Sequence, residues 1–315
     1  MRRHDSPLGP GVRRREFLSA AAGAFVAAET AASQALPFPI IDTHIHLFDP
    51  TRPQGVPWPP KNDKVLYQPA LPERYRKIAQ PFGVAGAIEI ECSPWLEDNQ
   101  WVLGVAARDK IMVGTIGDLE PGKPEFRAQL ERFHKNPLFL GIRYGNLWGR
   151  NLAAEIGKPA FVEDLRALAA AGLVLDTANQ TPELIAATLR VTDAVPELRI
   201  VIDHLPQLAA PADANLRELG KRPQVYAKVS EVLRRVNGGV PLELAEYKPK
   251  LDEIFGIFGE DRVLFGSDWP NSDNWAPFGA VFGIVREYFV AKGMAVAEKY
   301  FRTNSTKAYR WRERK

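Results

Sequence analysis

From residue 36 onward, short apolar runs alternate with longer amphipathic stretches. The apolar runs are four to eight residues long and rich in Ile, Val and Leu, which is typical of buried strands. They predict eight strands: Ile40–His46, Val84–Glu91, Ile111–Gly117, Phe139–Arg143, Leu173–Asp176, Arg199–His204, Gln224–Val229 and Arg262–Asp268.

The amphipathic stretches between these runs have the apolar spacing of helices. Pro94, Pro159 and Pro182 stand near their starts, where proline fits the first helical turn. Alternation of strands and helices predicts a parallel sheet covered by helices. Eight such units in about 250 residues have the size of a single-domain α/β fold, the (β/α)8 TIM barrel. An open doubly wound sheet is the alternative, but no Gly-rich dinucleotide loop follows the first strand.

The first 35 residues differ in composition from the rest of the chain. Arg14 and Arg15 precede the apolar run Phe17–Ala28, and small residues up to Ala35 follow. This layout predicts a twin-arginine signal peptide over 1–35, read by the twin-arginine export machinery and then cleaved. The run is shorter than the about 20 residues that span a bilayer. A flexible basic tail and an uncleaved membrane anchor are the alternatives. The mature chain, 36–315, is expected in the periplasm or outside the cell.

Charge and cysteine content exclude several classes of protein. The first 35 residues hold five of the chain's 41 basic and three of its 38 acidic residues, so the mature chain has a net charge of +1. It has no basic run with interleaved aromatic residues, so nucleic acid is not an expected partner. The single cysteine, Cys92, excludes an intramolecular disulfide. No further apolar stretch predicts a membrane span after cleavage.

Polar residues lie at the carboxyl ends of the predicted strands, where barrels of this type carry their catalytic groups. Side chains alternate along a strand, so Asp42, His44 and His46 are predicted to share the inward face of the first strand. The same alternation directs further polar side chains to this end of the barrel. The converging set is His44, His46, Glu91, His204 and Asp268.

Alternation along the second strand predicts that Glu89 and Glu91 both face inward and need a cation nearby. Arg143 and Lys228 are the inward cations, and a Glu89–Lys228 pair is expected below the site. Glu91 is either a metal ligand or an ion-pair partner. Arg143 either grips a substrate carboxylate or lactone oxygen, or neutralises a glutamate.

Three other residues receive simpler interpretations. Asp176 and Asp203 are predicted to face away from the barrel interior and to be structural. Trp269, directly after the last strand, is predicted to wall the substrate pocket with aromatic surface. The long connection Leu47–Leu71, which contains Trp58, is predicted to lie over the same face.

Imidazole and carboxylate groups together are a ligand set for one divalent ion, zinc or manganese. Residues two apart on a strand project the same way, which suits the His44-x-His46 spacing. A hydrogen-bonded pair of core histidines would explain that spacing as well. The predicted ligands are His44, His46, Glu91 and Asp268. A bound ion would lower the pKa of a water towards ~7. Asp268 would then act as general base, and His204 would orient a small-molecule substrate or move a proton.

Several motifs also resemble the amidohydrolase superfamily, in the branch that includes sugar lactonases and pyrone dicarboxylate lactonase. They are "DTHIHLFDP", "GIRYG", "VIDHLP", "VYAKVS", "GSDWP" and "NSTKAYRW". The resemblance implies a (β/α)8 barrel that catalyses hydrolysis at a carbonyl. It matches His44 and His46 to the first-strand pair, His204 to the sixth-strand histidine, and Asp268 to the last-strand aspartate.

Two departures from the superfamily pattern bear on the metal. The fifth strand, "LVLDTA", lacks the histidine that many members use for a second ion, and the fourth, "LFLGIRYG", lacks the bridging lysine. One metal ion or none is therefore expected. Some lactonases of this branch are thought to work without metal, so a metal-free site stays open.

The predicted reaction is water attack on a lactone carbonyl, which opens the ring to a hydroxy acid. A metal-dependent decarboxylase of an unsaturated or aromatic acid is the first alternative, and a metal-free lactonase is the second. A non-catalytic periplasmic binding protein is the third. The complete set of three histidines and one aspartate argues against it, because a binding protein needs no general base.

Overall fold

The computed structural model describes residues 35–178 and 180–314. The predicted signal peptide lies outside the described residues except for Ala35 and stays a prediction. Among the described helices, none is both long enough and apolar enough to cross a membrane.

Eight parallel strands form one sheet in the order of the chain. They are β1 Ile40–Ile45, β2 Val84–Ile90, β3 Met112–Gly117, β4 Phe139–Arg143, β5 Val174–Thr177, β6 Arg199–Ile202, β7 Val225–Val229 and β8 Val263–Phe265. Backbone bonds from Asp268 N to His44 O and from His46 N to Trp269 O, both 2.8 Å, join the last strand region to the first. The predicted single-domain (β/α)8 barrel is confirmed.

Helices follow the strands and cover the barrel. They are α1 Pro72–Ala79, α2 Leu96–Arg108, α3 Phe126–Phe133, α4 Leu152–Glu155, α5 Pro159–Ala170, α6 Pro182–Ala194, α7 Ala214–Leu219, α8 Leu244–Phe258, α9 Phe278–Ala291, α10 Met294–Glu298 and α11 Asn304–Tyr309. Proline opens α1, α5 and α6, because its missing N–H costs nothing in the first turn. The Thr181 side chain accepts a hydrogen bond from Leu184 N and caps α6.

Two groups of buried side chains hold the barrel together. The larger one lies between the sheet and the helices and includes Ile40, Ile45, Ile200 and Ile202. The second receives apolar side chains from all eight strands, so it fills the barrel interior. Its strand members are Ile41, Ile88, Ile90, Val113, Ile116, Leu140, Val174, Val201, Tyr226 and Leu264. Tyr309 of α11 joins this second group. The carboxyl end of the barrel is therefore supported from below by a packed core.

Candidate active site

Three histidines converge on one carboxylate oxygen at the carboxyl end of the barrel. The Oδ1 atom of Asp268 lies 3.2 Å from His46 Nε2, 3.5 Å from His44 Nε2 and 3.9 Å from His204 Nε2. His44 and Asp268 are almost completely buried, and His204 is partly exposed. His44, His204 and Asp268 each offer an atom within 4.8 Å of the others. Four of the five predicted residues are thus brought together.

Unusual backbone conformations place two members of this cluster. His204 and Asp268 have φ angles of 50° and 60°, in the left-handed region that few residues other than glycine adopt. Both follow the ends of their strands, so their side chains leave the regular strand alternation. Backbone strain of this kind is found at functional sites, where the surrounding structure holds it in place.

The hydrogen bonds of the histidines leave ring nitrogens directed at the carboxylate. His46 Nδ1 lies 2.8 Å from the carbonyl oxygen of Ile90, which can only accept, so this nitrogen carries the proton. In a neutral ring, Nε2 then presents a lone pair to Asp268 Oδ1. His44 Nε2 is buried and has no hydrogen-bond partner among the described residues. The Nε2 lone pair of His46, the buried Nε2 atom of His44 and the Asp268 carboxylate together can accommodate a divalent cation.

The electrostatic environment keeps two of these imidazoles neutral. Burial lowers the pKa of His44 well below its usual value, and the nearby charge of Lys228 lowers it further. Burial also lowers the pKa of His204. Burial alone would raise the pKa of Asp268, but the histidines that face its carboxylate, His204 first, outweigh burial and hold the pKa well below its usual range. Neutral imidazoles beside a carboxylate are the protonation states that a metal site requires.

A buried ion network lies directly beneath the cluster. Lys228 Nζ is 2.8 Å from Asp176 Oδ2, 2.8 Å from Asp203 Oδ1 and 3.3 Å from His44 Nδ1. Tyr309 Oη donates to Asp176 at 2.8 Å. The carboxylates of Asp176 and Asp203 therefore point into the barrel, and the prediction that they face away was wrong. On β6, the left-handed backbone of His204 breaks the alternation, so Asp203 and His204 both face the interior.

Glu89 is a second correction. Ile88 and Ile90 belong to the interior core, so Glu89 points the other way, into a small cavity that is also lined by Asp98 and Trp101 of α2. Lys228 is paired with the two aspartates, so the expected Glu89–Lys228 pair is absent from the described residues. Burial raises the pKa of Glu89 well above its usual value, and the neighbouring Glu91 adds to the shift.

Asp42 is a third correction. Its carboxylate accepts hydrogen bonds from Tyr75 Oη of α1 at 2.7 Å and from Ser267 N at 2.9 Å. It therefore does not share the histidine face. The register of β1 against β2 shifts between Asp42 and Ile45, and this irregularity ends the simple alternation that predicted a common face.

Glu91 and Arg143 form an ion pair beside the cluster. Arg143 Nε donates to Glu91 Oε1 at 3.0 Å, and Trp148 Nε1 donates to Glu91 Oε2 at 3.0 Å. Each carboxylate oxygen can accept more than one bond, so these contacts hold the Glu91 carboxylate in place without using all of its lone pairs. Arg143 also lies 3.8 Å from Asp203. Its guanidinium is therefore already engaged by acidic residues of the chain.

The two aromatic residues proposed near the site have different surroundings. The Trp58 ring lies 5.6 Å from the His46 ring, so the connection Leu47–Leu71 does reach the site. Trp269 is fully buried, and its ring packs 5.3 Å from that of Tyr75. The structure thus places Trp269 in the packing between the barrel and α1.

The sequence pattern missed three polar residues near the cluster. Asn271 Nδ2 donates to Asp268 Oδ2 at 2.7 Å and to Glu231 Oε1 at 3.0 Å. Ser230 Oγ lies 2.8 Å from His204 Nδ1. Burial raises the pKa of Glu231 to about 8, and the charge of Asp268 contributes to the shift. All three residues follow the carboxyl ends of β7 and β8. Their position after a strand end is the sequence signal that could have identified them as site residues.

Comparison with known proteins gives a family match. A family model described as Amidohydrolase matches residues 41–311. The L-fucono-1,5-lactonase of Burkholderia ambifaria is 28% identical over 247 residues, which cover 76% of this chain and 83% of that protein. The L-fucono-1,5-lactonase of Burkholderia multivorans is 24% identical, covering 82% of this chain and 91% of that protein.

Solved structures share the fold at lower identity. An amidohydrolase from Burkholderia multivorans with bound zinc has a TM-score of 0.78 at 19% identity, covering 87% of this chain and 100% of that one. A putative 2-pyrone-4,6-dicarboxylic acid hydrolase from Pseudomonas putida has a TM-score of 0.67 at 21% identity. The match covers 87% of this chain and 98% of that one.

Proposed function

Because the chain belongs to the amidohydrolase family and is a hydrolase, we propose that it opens a lactone ring with an activated water at one divalent metal ion. The observation that carries this proposal is the convergence of three imidazoles on Asp268 Oδ1, with His44 Nε2 buried and unpartnered among the described residues. The names of the two fuconolactonase relatives support a lactone as the substrate.

His44, His46 and Asp268 would hold the ion, because their ligand atoms face one another. Zinc and manganese both accept these donors. When bound, the ion would lower the pKa of a water towards ~7 and so make hydroxide available at neutral pH. A fourth ligand from Glu91 stays a prediction, since its carboxylate is paired with Arg143 and Trp148 beside the cluster.

Asp268 accepts the proton of the attacking water in this proposal, because its low pKa keeps it ionised across the neutral range. His204 is the most exposed of the three histidines and lies on the substrate side, so we assign it to orienting the carbonyl oxygen. The carbonyl carbon gains the hydroxyl, the ring carbon–oxygen bond breaks, and Asp268 passes the proton taken from water to the ring oxygen. The product is an open-chain hydroxy acid.

Proton release from a panel of sugar, aromatic and aliphatic lactones tests the reaction class. We expect acid release from at least one lactone group with protein from residue 36 supplied with zinc or manganese. Carbon dioxide release from unsaturated or aromatic acids, with silence on every lactone, would instead establish the decarboxylase alternative.

We also propose that residues 1–35 direct the chain to the periplasm or the exterior through the twin-arginine machinery. The Arg14–Arg15 pair before an apolar run supports this. Replacing both arginines with lysine should leave the protein in the cytoplasm, as measured by cell fractionation. Unchanged export of that variant would contradict a twin-arginine signal.

A further inference from the structure

A buried serine hydroxyl beside the cluster has one hydrogen-bond partner among the described residues. Ser230 directly follows β7 and is 1% exposed. Its Oγ atom lies 2.8 Å from His204 Nδ1, and no other described atom accepts its proton. A buried hydroxyl group that donates to nothing loses its hydrogen bond to water without replacement, which is costly. The Ser230 hydroxyl therefore donates to His204 Nδ1.

The surroundings of His204 agree with an unprotonated Nδ1. The nearest carboxyl oxygen, Glu231 Oε2, is 3.8 Å from this nitrogen, which is too far for a hydrogen bond. Burial raises the pKa of Glu231 to about 8, so at neutral pH this group is mostly uncharged and does not attract a proton to Nδ1. Burial also lowers the pKa of His204, so the ring carries a single proton. A neutral ring whose Nδ1 accepts has that proton on Nε2.

Packing fixes the orientation of the His204 ring. Its centroid lies 4.3 Å from that of the His44 ring, at an interplanar angle of 50°. The chain after β8 packs against both neighbours of this ring. A Cβ atom on Gly266 would lie 2.7 Å from the Cβ of His44 and 3.2 Å from the Cβ of Ser230. With Nδ1 held by Ser230, the other nitrogen, Nε2, faces the cluster at 3.9 Å from Asp268 Oδ1.

Building on the proposed lactone hydrolysis, we propose that Ser230 is a positioning residue that fixes His204 in the tautomer with the proton on Nε2. The ring can then donate a hydrogen bond to the substrate carbonyl oxygen. This oxygen gains negative charge as water attacks, and a donor already directed at it stabilises that charge. The opposite tautomer would present a lone pair to the oxygen. A ring protonated on Nε2 also has no lone pair there for a metal ion, which keeps His204 out of the ligand set.

Nuclear magnetic resonance of the full-length protein, with isotope-labelled histidine nitrogens, tests the tautomer without a substrate. The His204 signals are identified by their absence from His204→Gln. We expect the wild-type ring to carry its proton on Nε2. In Ser230→Ala, the shifts of the two nitrogens should move towards each other, because a ring without a fixed donor populates both tautomers. A proton on Nδ1 of the wild-type ring, or an unchanged ring in Ser230→Ala, would overturn the proposal.

Initial rates of lactone opening measure the consequence for turnover. We expect Ser230→Ala to lower kcat by about 10-fold with KM nearly unchanged, since it removes one hydrogen bond whose effect is exerted in the transition state. A raised KM at wild-type kcat would assign Ser230 to ground-state binding and would contradict a positioning role.

Ser305→Ala is the matched control. Ser305 is also 1% exposed, but its hydroxyl donates to Arg302 O at 2.6 Å and accepts from Trp311 Nε1 at 3.0 Å, outside the cluster. Neither the His204 shifts nor kcat should change in this variant. Silence of the wild-type protein on every lactone would contradict the lactonase proposal alone. The wild-type spectrum still decides the tautomer, because it requires neither a lactone nor a folded variant of Ser230.

Discussion

Asp268→Asn should lower kcat for lactone hydrolysis by roughly 10²- to 10⁴-fold, the range that a general base contributes. The substitution keeps the shape of the side chain but removes both the proton acceptor and the charge that faces the three histidines. Initial rates of proton release, measured at saturating lactone and with metal content determined on the same sample, give the result.

Asp273→Asn is the control for that experiment. Asp273 lies in the turn after the same strand, but its carboxylate is paired with Arg74 at 3.1 Å, outside the cluster. We expect near wild-type turnover from this variant and a native circular dichroism spectrum from both. Wild-type turnover by a folded Asp268→Asn protein would show that another group accepts the proton.

Lys228→Met should destabilise the protein by about 3–5 kcal/mol, because it leaves buried carboxylates without their cation. Asp176 and Asp203 both lie 2.8 Å from the ammonium group, and all three side chains are completely buried. An uncompensated carboxylate is costly only while it is charged. The loss in the free energy of unfolding, measured by urea titration, should therefore be larger at pH 8 than at pH 5.

Lys77→Met removes a lysine of the same size from an exposed pair with Glu73, where both side chains are more than 70% exposed. Such pairs contribute about 0.3–0.5 kcal/mol, so this variant sets the scale for a surface lysine. An equal loss of unfolding free energy in Lys228→Met and Lys77→Met would mean that the buried ion network does not stabilise the barrel.

The eight strands could be predicted because apolar runs and proline-marked helix starts are local signals. The positions of His44, His46 and Asp268 at the mouth of the barrel followed from their place at strand ends. Alternation failed where the backbone leaves regular strand geometry. At His204, a left-handed residue faces the site out of phase with β6, so the sequence pattern assigned Asp203 to the wrong face.

Other errors arose from treating polarity as a guide to the barrel mouth. The Glu89 side chain points towards α2 because Ile88 and Ile90 pack into the barrel interior. The burial of apolar side chains decides which face of this strand turns inward. The sequence pattern did not identify Glu231 and Asn271 as site residues because they lie on the connections that follow the strands. Their positions depend on tertiary contacts with Asp268 and His204, which no local pattern encodes.

The central claim is that a single divalent ion at His44, His46 and Asp268 supports lactone opening. Stepwise addition of zinc or manganese to metal-stripped protein, with proton release followed at each step, tests it most directly. We predict that activity rises from near zero and levels off at one ion per chain, and that His46→Ala abolishes the rise. Full activity of the stripped protein under complete chelation would contradict the claim and establish a metal-free hydrolase.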